Sequence, residues 1–105
     1  MKVIEALAGL LRKILRHEVR FDDGSVIDFA GPESLLYSES DGRSMDISWS
    51  WQIHSVRARE IRRQDIFQWM SPHKLEAISE EKREEILKKV RAFSRRHRIG
   101  LRELP

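Results

Sequence analysis

A chain of 105 residues, 35% charged and 40% hydrophobic, is long enough to bury one core without crosslinks. It contains no cysteine, which excludes disulfides and thiolate chemistry, and no apolar run near the roughly 20 residues needed to span a bilayer. The net charge of +3 hides a segmental pattern: +3 over residues 1–16, −6 over 17–52 and +6 over 53–105. A basic second half permits a nucleic-acid partner without requiring one.

Residues 2–16 carry an amphipathic helix pattern. Val3, Leu7, Leu10 and Ile14 form one row, with Ile4, Leu11 and Leu15 beside it, and the charged side chains face away. Such a helix is expected to pack on a sheet face, with a membrane-surface helix or a partner helix, including one that mediates homodimerisation, as the alternatives. Glu5 interrupts the apolar stretch, so the segment does not read as a secretory signal, and a cytoplasmic location is expected. Two hairpins follow, over residues 18–29 and 34–53. "DGSVIDF" at 23–29 and "DGRSMDI" at 41–47 form a faint repeat offset by 18 residues. Asp-Gly suggests two-residue turns, but in the second hairpin that register sets Tyr37 against Asp46 and mixes the faces. A three-residue loop, Ser40-Asp41-Gly42, instead pairs Tyr37 with Met45, Leu35 with Ile47, and Glu39 with Arg43 as a cross-strand ion pair. The equivalent loop at Asp22-Asp23-Gly24 gathers Val19, Phe21, Ile27 and Phe29.

In "GRSMDISWSWQIHS", Met45, Ile47, Trp49, Trp51 and Ile53 alternate with polar residues, the mark of a strand with one dry face. Both tryptophans are therefore expected on the core side. Residues 56–63 read as an arginine-rich strand, with a helical turn as the alternative. Residues 80–98 form the last helix: Ser79 caps it, glutamates crowd its start, lysines and arginines its end, and Gly100 stops it. Ile86, Val90, Phe93 and His97 make its buried row. The expected fold is a single α+β domain over 1–105: an N-terminal amphipathic helix, an antiparallel β-meander of four to five strands, and a C-terminal helix packed on the sheet.

Chemistry is sparse. His17, His54, His73 and His97 lie too far apart for metal-ligand spacing. No nucleophile elbow supports a Ser-His-Asp set, and no glycine loop could cradle a phosphate. Asp28 and Asp46 recur at matching repeat positions, and read better as exposed strand residues than as a catalytic pair. No enzyme, cofactor or metal site is expected.

"QDIFQWMSPHKLEAISEEKREEILKKV" resembles the C-terminal half of a bacterial immunity-protein family of polymorphic toxin systems, immunity protein family seventy-four. Asp65, Ile66, Trp69 and Pro72 carry the likeness, followed by Ile78-Ser79-Glu80-Glu81 and Ile86. Upstream, Tyr37, Gly42-Arg43-Ser44 and Ile47 are similar to that family's hairpin. The resemblance spans residues 35–98, and the N-terminal helix and first hairpin have no counterpart in it. It implies a non-catalytic antidote that binds a cognate toxin, and it assigns no catalytic or cofactor residue. A small basic nucleic-acid-binding protein is the alternative.

The partner surface is expected at Arg57, Arg59, Arg62 and Arg63, with Trp69 and His73, because arginine and tryptophan recur as interface anchors. For Trp69 a plug beneath the last helix is an equal reading. An acidic wet face of Asp28, Asp46 and Glu39 is the other candidate surface.

Overall fold

The computed structural model describes residues 17–52 and 55–105, apart from the side chains of residues 52 and 55–57. The helix expected over 2–16 lies outside the described residues. Strands β1 (Val19–Arg20), β2 (Val26–Gly31), β3 (Ser34–Ser38) and β4 (Ser44–Ser48) form an antiparallel sheet in chain order. Its register is the one that segregates the faces: Val19 opposes Ile27, Phe29 opposes Leu35, Leu35 opposes Ile47 and Tyr37 opposes Met45.

Both Asp-Gly loops hold three residues, closed by Phe21 N to Ser25 O at 2.9 Å and Glu39 N to Arg43 O at 2.7 Å. Gly42 sits at φ 96°, where a branched side chain is strained although the space is open. Gly42→Val is expected to cost about 1–2 kcal/mol, read as a lower urea midpoint at unchanged slope. Glu39 and Arg43 are neighbours in the backbone but not an ion pair, since each turns to a different element, as described below.

The long strand expected through Ile53 is broken at Trp49. Trp49 N still bonds back to Glu33 O at 3.1 Å. From Ser50 the chain enters a second sheet, made of β5 (Ser50–Gln52), β6 (Ser55–Arg62) and β7 (Gly100–Leu104). β5 and β6 are antiparallel, whereas β6 and β7 are parallel. The single meander is thus corrected to two sheets, the second of them mixed. A parallel neighbour needs a long crossover, and the chain from Arg63 to Ile99, helix included, supplies it. Residues 56–62 are strand, as preferred, whereas Arg63, expected in the same strand, opens a 3-10 turn at Arg63–Asp65.

Helix α1 (Glu80–Arg96) starts at Ser79, whose hydroxyl accepts from Lys82 N at 3.0 Å. It ends two residues short of the expected Arg98. Ile99 N reaches Ser94 O at 2.8 Å and Arg98 N reaches Arg95 O at 3.1 Å, a Schellman closure with Arg98 at φ 56°. Glycine usually fills that position, and here it comes two residues later, as the first residue of β7. Arg98→Gly is expected to raise stability by about 1 kcal/mol, measurable by denaturant titration.

The core lies between α1 and the inner face of the first sheet. Ile27, Leu35, Tyr37, Met45, Ile47 and Trp49 meet Ile86, Leu87, Val90 and Phe93, and all are buried. Phe29 stands edge-on to Phe93, with ring centroids 5.0 Å apart. Ile61 of β6, with Ile66 and Trp69 of the crossover, completes the same cluster. His97 ends the buried row as the helix C-cap and contacts Phe93 at 4.5 Å. Among the described residues no helix is long and apolar enough to cross a membrane.

Candidate functional site

The segment from Arg63 to Ser79 has little regular structure, yet it is tied down along its length. Arg63 reaches from the 3-10 turn to Glu84 at 2.7 Å and Glu80 at 3.3 Å. Ile66 is buried, and its carbonyl accepts from Arg83 Nε at 2.8 Å. Trp69 is buried against Tyr37, with ring centroids 6.3 Å apart. Met70 N donates to Ser44 O of β4 at 2.8 Å, and turns at His73 and Glu76 follow. Arg43 grips Glu76 with two hydrogen bonds, 2.7 and 2.9 Å, while His73 Nδ1 lies 3.3 Å from the same carboxylate.

Against this anchoring, Phe67 is 65% exposed, Met70 44% and Leu75 98%. Burial cannot explain side chains that the fold leaves in water. Three large apolar side chains are thus exposed on one segment that is anchored to the sheet and to α1.

Beside this segment lies an open cleft of about 450 Å³, with Trp69 on one wall and Glu39, Asp41 and Glu76 facing Arg43 and Lys82. Its charges are already matched. Lys82 bonds Glu39 at 2.9 Å and Glu85 at 3.1 Å, Arg43 holds Asp41 and Glu76, and Tyr37 Oη donates to Glu39 at 2.8 Å. Burial, with Glu39 adding to it, pushes the Tyr37 phenol far above its usual range, which leaves it a poor proton donor. Such a lattice of paired charges, with Asp23 bonded to Lys89, fastens the hairpin tips to α1. Among the described residues no three His, Asp or Glu groups converge to hold a metal.

The expected partner residues differ in their surroundings. Arg59 is 7% exposed, with its guanidinium carbon 3.3 Å from the Trp51 ring centroid and 5.6 Å from that of Trp49. Burial lowers its pKa, against an opposing effect of Glu33. Arg63 serves the crossover, and Trp69 is the plug. Arg62 is exposed and His73 partly so, while the Arg57 side chain lies outside the described residues. Reversing the charge of Arg59 would therefore disturb packing as well as surface potential. Trp51, expected in the core, is 40% exposed. The break at Trp49 moves it to the second sheet, opposite Arg59. The acidic wet face keeps Asp28 and Asp46, on either side of Leu36, but loses Glu39, which points inward to Lys82.

Phe67, Met70 and Leu75 escaped sequence reasoning because their segment follows no period. An apolar residue there signals either a plug or an exposed contact. Trp69 is buried as a plug, and Phe67, two residues earlier, is exposed.

The ion pairs predict the acid response. The Lys89 ammonium beside Asp23, the Arg43 guanidinium beside Glu76 and that of Arg91 beside Glu103 hold all three carboxyls below their usual values. Carboxyls with depressed folded-state pKa values stabilise the fold above their unfolded pKa, near 4, and lose that contribution as pH falls through the folded values. The thermal midpoint is expected to fall steadily below about pH 4.5, and 1 M salt should shrink the difference from pH 7.

No family model, curated protein or solved structure matches the chain in comparisons with known proteins.

Proposed function

We propose that the chain is a small non-catalytic protein-binding inhibitor, an immunity protein that neutralises a cognate toxin domain. The observation that carries the binding part is the exposure of Phe67, Met70 and Leu75 on a segment anchored at Ile66, Trp69 and Glu76. A rigid apolar surface loses little conformational entropy on association. The immunity part rests on the resemblance of residues 35–98 alone. Arg62, just before this segment, and His73, within it, belong to the proposed surface, and Trp69 supports it from below. The site of action proposed is the cytoplasm.

Co-expression with a toxin domain encoded beside this chain tests the reading. The expected result is restored growth and a one-to-one complex by size-exclusion chromatography with light scattering. Phe67→Asp with Leu75→Asp should abolish both. A neighbouring gene without a toxin domain, or a toxin domain neither bound nor neutralised, overturns the immunity reading.

One observation favours a second reading, a nucleic-acid-binding protein. Lys88, Arg95, Arg96 and Arg98 are exposed and form no ion pair among the described residues, whereas Lys82, Lys89 and Arg91 of the same helix are all paired. Binding to random duplex DNA with a salt slope of about −3 to −4, lost on reversing those four charges, would support this reading over the first. Homodimerisation through residues 2–16 is a further proposal, tested by the mass in solution with and without that segment.

A further inference from the structure

Among the described residues, the outer edge of β4 has no strand paired to it. In an antiparallel ladder, residues alternate between pairs that exchange both backbone hydrogen bonds and pairs that exchange none. Glu39 N bonds Arg43 O, and Trp49 N bonds Glu33 O. Residues 43, 45, 47 and 49 therefore bond inward to β3, and Ser44, Asp46 and Ser48 turn their N–H and C=O groups outward. The bond from Met70 N to Ser44 O confirms that direction, and it shows the edge already accepting an amide from outside the sheet. Among the described residues no hydrogen bond reaches the outward groups of Asp46 or Ser48, and both residues are exposed.

Charge identifies the occupant. The Asp46 side chain stands on the outer face in one row with Leu36 and Asp28, amid Ser34, Ser38, Ser44 and Ser48. A second copy pairing edge to edge about Asp46 would set carboxylate against carboxylate, which is unfavourable across a strand pair. A cation opposite Asp46 reverses the sign.

We infer that the β4 edge takes an extended segment of the protein partner as an added antiparallel strand, with a lysine or arginine opposite Asp46. The inference rests on the protein-binding reading and gives it a recognition mode: main-chain bonds supply affinity, and the Asp46 contact selects sequence. It also reverses the expected polarity of the interface, which now suits a basic partner strand.

The probes are two capped peptides, acetyl-Lys-Val-Lys-Val-Lys-amide and acetyl-Glu-Val-Glu-Val-Glu-amide, added to the ¹⁵N-labelled chain. The lysine peptide should slow exchange of the Asp46 and Ser48 amides at least tenfold, and the glutamate peptide should not. Asp46→Lys should exchange the two preferences. Ser48→Pro removes an outward donor without touching the bonds to β3, so binding should vanish while the melting temperature holds. If that variant fails to fold, amide protection and the Asp46→Lys exchange still decide. Unprotected amides, or equal binding of both peptides, overturn the inference. A toxin complex that survives Ser48→Pro but is lost in Phe67→Asp with Leu75→Asp overturns the added strand and leaves the proposed function standing.

Discussion

Trp49→Ala is expected to lower unfolding free energy by about 3–5 kcal/mol, whereas Trp51→Ala should lower it by about 1 kcal/mol. The two residues are two positions apart and chemically identical, so the contrast isolates environment. Trp49 is 1% exposed, with its ring 6.3 Å from Phe29 and 6.1 Å from Phe93. Its removal opens a cavity between the sheet and α1 that packed neighbours fill only in part. Trp51 lies at 40% exposure under the Arg59 guanidinium, and its loss gives up one stacked face. Trp49→Phe should be milder, at about 2 kcal/mol or less, because no described group accepts the buried indole N–H and phenylalanine removes that uncompensated donor. Urea titration of the three variants checks the order. Equal losses at the two tryptophans would mean that β4 runs on unbroken.

Trp69→Ala is expected to cost about 3–5 kcal/mol and to free the crossover for proteolysis between Ile66 and Ile78. Trp69 sits at 4% exposure against Tyr37, between the backbone anchor at Ile66 and that at Met70. Phe67→Ala, two residues away, should change stability by no more than about 0.5 kcal/mol, since the side chain is mostly in water. With a toxin partner in hand the pair separates support from contact. Both variants should weaken the complex, but only Trp69→Ala should also shift the thermal midpoint and the cleavage rate. A Phe67→Ala variant that binds as well as wild type would remove that residue from the interface.

The ion pairs show where sequence reasoning stops. Glu39 and Arg43 were placed opposite each other by register, and their backbones are, yet Glu39 bonds Lys82 and Arg43 bonds Glu76. Long charged side chains choose among every partner within reach. Those partners come from α1 and the crossover, 33 positions on in the case of Glu76. Arg59 is the same lesson in a buried setting. An arginine in a basic run reads as surface, but the Trp51 ring brought over it by strand pairing makes it part of the packing.

By itself the sequence determined what depends on neighbours along the chain. It specified the two three-residue loops, because only one register keeps Tyr37, Leu35, Met45 and Ile47 on a common face. It also specified the Ser79 cap and the buried stripe of the last helix, because both follow from spacing within a few residues. The tertiary structure alone decided the division into two sheets, the parallel pairing of β7 with β6, the separation of Trp49 from Trp51, and which apolar residues of the crossover are plug or surface. Each of these turns on contacts between segments far apart in sequence, where alternation and capping carry no information and packing against α1 sets the outcome.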